Sequence, residues 1–393
     1  MAWKSAALAS IADIDRTAIQ PEHIVAGTLY VGLEHIVSGG ELLPPQPVRN
    51  GELASTKFRF TQKHILYGKL RPYLAKIARP DFSGICSTDI LPILPGKDLE
   101  RRFLLHFLRQ PAMVQRASNE AVGANLPRLS PSTLARFMVP LPPLAEQRRI
   151  ADILDKADAL RAQRRAALAE LDTLTQSTFL DLFGDPATNP KNWQVRPLGS
   201  IARKKPNNGI FRKNPEYLQN SDLGLPVVWV EELFRGDSID VRASRRLVAT
   251  PTDVEKYGLK NGDILFCRSS LKLDGIAYNN VFVGDDDAAL FECHVIRISP
   301  NPKVIDSIYL NALFRLPQMR AIAKSRSKTA TMTTIDQESL GAIPIVLPPL
   351  SKQLEFARRI TAIESLKSRH RAALAELDTL FASLQHRAFR GEL

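Results

Sequence analysis

Two long stretches of this chain contain neither glycine nor proline, and both carry apolar residues at 3-4 spacing. The first starts after Pro143 and runs to about Leu182, with Ile150, Ile153, Ala157, Leu160, Ala167, Leu171 and Leu174 on one stripe. The second starts after Pro349 and runs to about Arg390, with Phe356, Ile363, Leu366, Ala373, Leu377, Leu380 and Leu384. Proline suits a helix start and is excluded from a helix interior, so the paired prolines fix where each helix begins. The spacing holds over about four heptads and predicts coiled-coil partner helices, with Arg164 and His370 weakening the seam locally. At ~1.5 Å per residue, about 38 residues span roughly 57 Å, longer than one turn of B-DNA at roughly 34–36 Å.

The remaining pattern is mixed α/β. β-rich runs occur at Thr28–Leu33, His64–Tyr67, Leu74–Ile77 and Ile85–Leu94, followed by helices over Asp98–Arg109 and after Pro111. A second series follows the same order: Val227–Leu233, Asp263–Cys267, Gly275–Val283 and Phe291–Ile298, then helices near Ile305–Phe314 and Gln318–Lys324. Each series closes with a short helix (Ser132–Phe137; Asp336–Leu340) and a β-like entry into Leu-Pro-Pro-Leu. FLDLFGDPATNPKNW (Phe179–Trp193) ends the first helix at Gly184 and makes a turn-rich linker too short to be a free tether.

The two series are copies. RAALAELDTL occupies Arg165–Leu174 and again Arg371–Leu380, at an offset of 206 that also relates Leu141-Pro142-Pro143-Leu144 to Leu347-Pro348-Pro349-Leu350 and Gln147 to Gln353. Upstream, W-x4-LASIA from Trp3 matches W-x4-LGSIA from Trp193 at an offset of 190. The frame is duplicated and the middle has diverged, as expected of one scaffold presenting two different surfaces.

Composition changes this picture little; charge changes it more. The hydrophobic fraction of 44% and charged fraction of 24% are ordinary for a globular chain. The three cysteines, Cys86, Cys267 and Cys293, make no disulfide framework, so a reducing, cytoplasmic setting is expected. No apolar run suits a membrane span. A net charge of +12 favours a polyanionic partner, nucleic acid before an acidic membrane surface. Nucleotide-loop and zinc-protease motifs are absent, as is the Asn-Pro-Pro-aromatic tetrapeptide of adenine methyltransferases. Cys293-His294 reads as core packing on a strand, not as a metal site. No catalytic residue, metal or cofactor is expected.

Basic residues interleaved with polar and aromatic ones are the candidates for DNA contact. The first copy offers Lys57, Arg59 and Lys63, then Lys69, Arg71, Tyr73 and Lys76 in YGKLRPYLAK, and Asn125 and Arg128 in a polar segment. The second offers Arg268 and Lys272 at the corresponding place, and Arg326 and Lys328 in KSRSKTATMTT, which should be an exposed loop. Lysine and arginine suit phosphates, while arginine and asparagine also fit base edges.

Together these residues resemble the specificity subunit of type I restriction–modification enzymes. The resemblance rests on Tyr30-Val31-Gly32-Leu33-Glu34, Leu225-Pro226-Val227-Val228-Trp229-Val230, Gly84-Ile85-Cys86-Ser87-Thr88, Leu141–Arg149 (LPPLAEQRR) and Ala388-Phe389-Arg390-Gly391-Glu392-Leu393. Ser351-Lys352-Gln353 departs from it where the first copy has Ala145-Glu146-Gln147, keeping only the glutamine. It implies α/β (mixed α+β) target-recognition domains over 1–140 and 185–346, with conserved spacer helices over 141–184 and 347–393. The helices would pair as an antiparallel coiled coil in a pseudo-two-fold, circular arrangement with neighbouring termini. Each domain would read half of a bipartite site in double-stranded DNA, and the helices would set the unread spacer. Two modification (methyltransferase) subunits, which carry S-adenosylmethionine, would be partners, and restriction subunits could join them. Arg148, Arg149, Arg161, Arg165 and Arg369 are candidates for docking them. The rival readings are a fused restriction–methyltransferase fragment and a coiled-coil scaffold that never touches DNA.

Overall fold

A computed structural model describes residues 3–219, 221–329 and 332–393. The chain divides into two compact units, one made of residues 1–165 and 372–393, the other of residues 166–371.

In the first unit the opening strand Ser5–Ala7 pairs antiparallel with Met138–Pro140, the strand that leads into Leu-Pro-Pro-Leu. A four-stranded sheet runs in the order Ala12–Ile14, Ile90–Pro95, Ile65–Gly68, Ile77–Ala78. A second sheet contains a parallel pair, Leu29–Val31 beside Gly84–Cys86. The helix Arg101–Leu108 buries Phe103, Leu104 and Phe107 against Ile65, Leu91 and Ile93. Ile150 and Leu154 of the first long helix (Leu144–Phe183) join this core, as does Ala388 of the second (Leu350–Ala388). Trp3, Phe389 and Leu393 pack on the same cluster, so both chain ends belong to one unit.

The second unit repeats the plan. Gln194–Pro197 pairs antiparallel with Pro344–Leu347. The sheet Asn207–Asn208, Val295–Ile298, Ile264–Cys267, Asn279–Val281 has the same order, and Leu225–Val228 lies parallel to Leu290–Phe291. Its core joins Phe266, Ile296, Tyr309 and Phe314 to Phe179 and Phe183 of the first long helix and Phe356 and Ile360 of the second. Phe179 stacks on Tyr309 with ring centroids 5.4 Å apart and meets Phe356 edge-on at 5.4 Å. Gly184, at φ 79°, ends the first long helix as a left-handed residue after the last turn. Trp193 Nε1 then donates to the Phe183 carbonyl (2.9 Å) and Lys191 Nζ to the Asp181 carbonyl (2.6 Å), which ties the linker to the helix end.

The shared glutamine explains the Leu-Pro-Pro-Leu-x-x-Gln pattern. Gln147 is fully buried; its amide donates to the carbonyls of Pro142 (2.8 Å) and Asp98 (2.9 Å), and its Oε1 accepts from Glu100 N (2.8 Å). Gln353 does the same with Pro348 (2.7 Å), Val304 (3.4 Å) and Asp306 N (2.9 Å). Glu100 and Asp306 are the N-caps of Arg101–Leu108 and Ser307–Arg315. One side chain thus fixes the start of each long helix to the start of the main core helix of its unit.

The repeated decapeptide has an equally local role. In the first unit Arg161 Nε donates to Asp378 Oδ1 at 2.6 Å, with Arg165 3.4 Å from the same oxygen. In the second, Lys367 Nζ lies 2.7 Å from Asp172 Oδ1 and 2.9 Å from Glu364 Oε1. Asp172 and Asp378 hold the same place in the two decapeptides, and each grips a cation on the other long helix.

Four expectations need correction. Ile85–Leu94 and Phe291–Ile298 are not continuous strands; each is cut by a turn, at Thr88–Asp89 and at Cys293–His294, and its two parts join different sheets. Cys293-His294 is therefore not strand core: His294 is largely exposed. Leu74–Ile77 is not a strand: Leu74 ends the 3-10 turn Pro72–Leu74, Ala75 and Lys76 are irregular, and only Ile77 enters the strand Ile77–Ala78. The heptad stripe is only partly covered: Leu160, Leu174, Leu366 and Leu380 are 40–50% exposed. Among the described residues no helix is long and apolar enough to cross a membrane.

Candidate nucleic-acid interface

Matching main-chain hydrogen bonds relate the basic segments of the two units. In the first, Lys69 N donates to the Asp89 carbonyl (2.9 Å) and the Lys69 carbonyl accepts from Leu129 N (2.9 Å). In the second, Arg268 N donates to the His294 carbonyl (2.8 Å) and the Arg268 carbonyl accepts from Ile335 N (2.9 Å). Lys69 and Arg268 are therefore the same position, at the exit of the central strand of the four-stranded sheet.

Three short segments meet there in each unit. In the first, Leu70 bridges to Arg128, which bridges to Val122. In the second, Ser269–Ser270 pairs with Thr333–Thr334, which pairs with Lys328–Thr329. KSRSKTATMTT is thus not a plain loop: Lys324 and Ser325 end the helix Pro317–Ser325, and Lys328–Thr329 and Thr333–Thr334 pair as the two arms of a small polar hairpin, because the threonines supply β-propensity and the preceding strand end supplies a partner. Ala330 and Thr331 lie outside the described residues.

The candidates divide on this frame. Lys69 and Arg128 converge on one acid, Asp89, at 3.6 Å and 3.1 Å. Arg71 is exposed, with its backbone in the left-handed region at φ 51° and its N–H on the Pro127 carbonyl (2.8 Å). A non-glycine residue in that region costs of order 1–3 kcal/mol, a kind of strain that clusters at functional sites. Tyr73 is exposed beside it, and Asn125 is exposed on the facing segment. In the second unit Arg268, half-buried, and Lys272, exposed, follow the central strand, while Lys328 is exposed on the facing hairpin arm and Arg326 is exposed at the helix end just before it. Lys63 is also exposed but lies on the turn before Ile65–Gly68, at the other end of the central strand. Lys76 is turned inward, its ammonium on the Leu33 carbonyl at 2.7 Å.

Lys57 is a correction. It is 5% exposed, and its ammonium is held by the Ser55 carbonyl (2.7 Å) and hydroxyl (2.6 Å), with burial pulling its pKa down. It offers no surface charge; Arg59, two residues on in the same strand, is the exposed cation.

Two features escaped the sequence reading. One is Asp89, the single acid inside the run Ile85–Leu94, whose Thr-Asp pair was the available turn signal. The other is a cavity of about 820 Å³ beside the second unit's hairpin, lined by Trp229, Phe234, Lys272, Tyr278, His294 and Met332. Phe234 and Tyr278 stack at 4.3 Å, and the Arg245 guanidinium covers Trp229 at 4.3 Å. His294 Nδ1 lies 2.8 Å from Glu292 Oε2 and 3.6 Å from Cys293 Sγ. Burial pushes the Cys293 thiol up, away from the thiolate a metal would need.

Two copies of one α/β unit, each joined to a long helix and each exposing a polar three-segment surface with basic side chains, define a duplicated recognition protein. The chain belongs to the type I restriction modification DNA specificity domain family, whose model matches residues 3–170 and again 190–377. It is 26% identical over 336 residues to the StySPI specificity subunit of Salmonella potsdam, covering 79% of this chain and 69% of that one. It is 25% identical over 332 residues to the EcoKI specificity subunit of Escherichia coli, with the same coverage. Among solved structures it is similar to the type I restriction–modification S subunit from M. genitalium, with a TM-score of 0.59 and 14% identity over 98% of this chain and 96% of that one. A chain from a type I restriction–modification complex studied for its assembly and conformational transition gives a TM-score of 0.55 and 21% identity, over 100% and 98%. These two likenesses concern the fold.

Proposed function

We propose that this chain is the non-catalytic specificity subunit of a type I restriction–modification complex. Each unit reads one half of a bipartite duplex site through its three-segment surface. The two long helices pair antiparallel and set the unread spacer, in a circular layout whose beginning and end meet in the first unit. S-adenosylmethionine and methyl transfer belong to two modification subunits, which restriction subunits can join. The observation that carries this reading is the recurrence of one surface at equivalent backbone positions with different side chains: Lys69, Asp89 and Arg128 in one unit, Arg268, His294 and Thr334 in the other. A shared frame with exchanged side chains is what two dissimilar half-sites require.

The helices also offer a docking surface. Arg161 is engaged with Asp378, and Arg149 with Glu146, so these cations are less free for partners than the sequence suggested. The leucine pairs Leu160 and Leu380 in the first unit, and Leu174 and Leu366 in the second, are exposed apolar positions suited to a modification subunit. Methylome sequencing of cells carrying the chain with its modification subunits tests the whole reading. We expect one split motif, with only one half changing when the three-segment surface of one unit is replaced. No split motif, or a chain that binds S-adenosylmethionine alone, overturns it.

A further inference from the structure

Arg128 is held more tightly than a phosphate-gripping residue needs to be. Its N–H and C=O both bond Val122, at 2.9 and 3.0 Å, so its backbone cannot slide. Its guanidinium meets Asp89 at two points, Nε to Oδ1 at 3.1 Å and Nη2 to Oδ2 at 3.4 Å, with Nη1 3.5 Å from the Leu126 carbonyl. Asp89 is fixed in turn: its carbonyl accepts from Lys69 N (2.9 Å), its N–H donates to Ser87 Oγ (3.3 Å), and Lys69 Nζ lies 3.6 Å from Oδ1. The Arg128 side chain remains 45% exposed, against 26% for the carboxylate.

A carboxylate at this place works against phosphate binding, since it repels the anion and cancels charge on both Lys69 and Arg128. What it supplies is orientation. A guanidinium whose Nε–Nη2 edge rests on a carboxylate presents its remaining N–H groups in a fixed fork, with little rotamer freedom left to lose on binding. That fork matches the O6 and N7 acceptors of guanine in the major groove. The second unit has His294 and Thr334 at the two positions and so has no such pair.

We infer that Arg128 reads a guanine in the half-site of the first unit and that Asp89 is the positioning residue that aims it. The inference rests on the reading of this chain as a DNA specificity subunit. The test uses the full chain in complex with its modification subunits, wild type against Asp89→Asn and Arg128→Lys, on duplexes in which each base pair of the native site is exchanged in turn. The half-site of the first unit should contain a G·C pair. Asp89→Asn should lower discrimination at that pair alone, by on the order of tenfold or more, while affinity for unrelated DNA holds or rises because a negative charge is gone. Arg128→Lys, which keeps the charge, should lose the same preference. The other half-site should be read as before. A first half-site without G·C, full discrimination retained by both variants, or an even loss over both halves overturns the inference. Should Asp89→Asn fail to fold, Arg128→Lys decides. Failure of the underlying reading would look different: the wild-type complex would then recognise no bipartite DNA site.

Discussion

The two units share a central frame, although the second carries extra residues and different outer sheets, and within that frame they differ at one node. Where the first unit sets Asp89 between Lys69 and Arg128, the second sets His294 beside Arg268 and Thr334, with an aromatic cavity alongside. Elsewhere the same tasks fall to the same or similar residues: Gln147 and Gln353, Phe103 and Tyr309, Asp378 and Asp172. At these positions the exchange of side chains falls where an external ligand could touch, while identity is kept where the scaffold closes on itself. Internal hydrogen bonds constrain the frame, and whatever is recognised constrains the tips.

The largest test of this equivalence removes the buried glutamines. Gln147→Ala and Gln353→Ala each strand two carbonyls and an N-cap amide, and each should cost about 3 kcal/mol. Denaturant unfolding of both variants checks it, and a large loss in one with none in the other breaks the equivalence. A smaller effect separates the interhelix clamps. Lys367 is only 3% exposed and its other close carboxyl, Glu364 at 2.9 Å, is pushed towards the neutral form, so Asp172→Asn leaves a buried ammonium poorly compensated and should cost about 2 kcal/mol. Asp378→Asn should cost about 0.5 kcal/mol, because Arg161 keeps Asp158 at 2.7 Å and the Phe381 ring at 4.3 Å. Equal losses in thermal unfolding would show the clamps to be energetically alike.

A pH effect should belong to the second unit. Burial and the facing Asp237 carboxyl push Glu364 up to about 7. Asp237, although burial works the other way, is held down at about 2 by hydrogen bonds with Glu364 and Arg371 and by the Lys367 charge. Between 4.5 and about 7 the folded unit therefore binds more protons than the unfolded chain, and its stability falls as pH rises through that window. Asp237 acts oppositely, its contribution present above 3.8 and lost as pH falls towards 2. Glu364→Gln should flatten the first slope, a change on the order of 1 kcal/mol between pH 5 and pH 8. Unfolding midpoints across pH decide, and an unchanged slope breaks the assignment. The smallest effect is at the exposed cations. Arg71→Ala in the complex should reduce the salt dependence of DNA binding by about one phosphate contact. Lys69→Ala, already paired with Asp89, should reduce it less; a slope unmoved by either variant removes both from the interface.

Much of this was legible in the residues. The duplication, the helix starts after Pro143 and Pro349 and the stop at Gly184 all followed from spacing and from proline and glycine chemistry. So did the correspondence of the segments after the central strands. What escaped has physical causes. Thr88–Asp89 and Cys293–His294 break apolar runs that read as single strands, because the carbonyls of Asp89 and His294 are claimed by Lys69 and Arg268, far away in sequence. Lys57 looked like a surface cation because a strand alone does not reveal that Ser55 folds back to hold its ammonium. The exposed leucines of the long helices looked like seam positions because heptad counting cannot say where one partner's cover ends.

The clamps formed by the two decapeptides have a consequence for how the two helices are told apart. Each helix carries both the gripping carboxylate and a gripped cation: Asp172 with Arg161 on one, Asp378 with Lys367 on the other. The lock is therefore self-complementary. Either helix thus presents the charge pattern its partner presents, so the clamp by itself does not tell the two apart; the packing beside it does, since Gln385 bonds the His106 carbonyl where the first helix carries Phe179 in the core of the second unit.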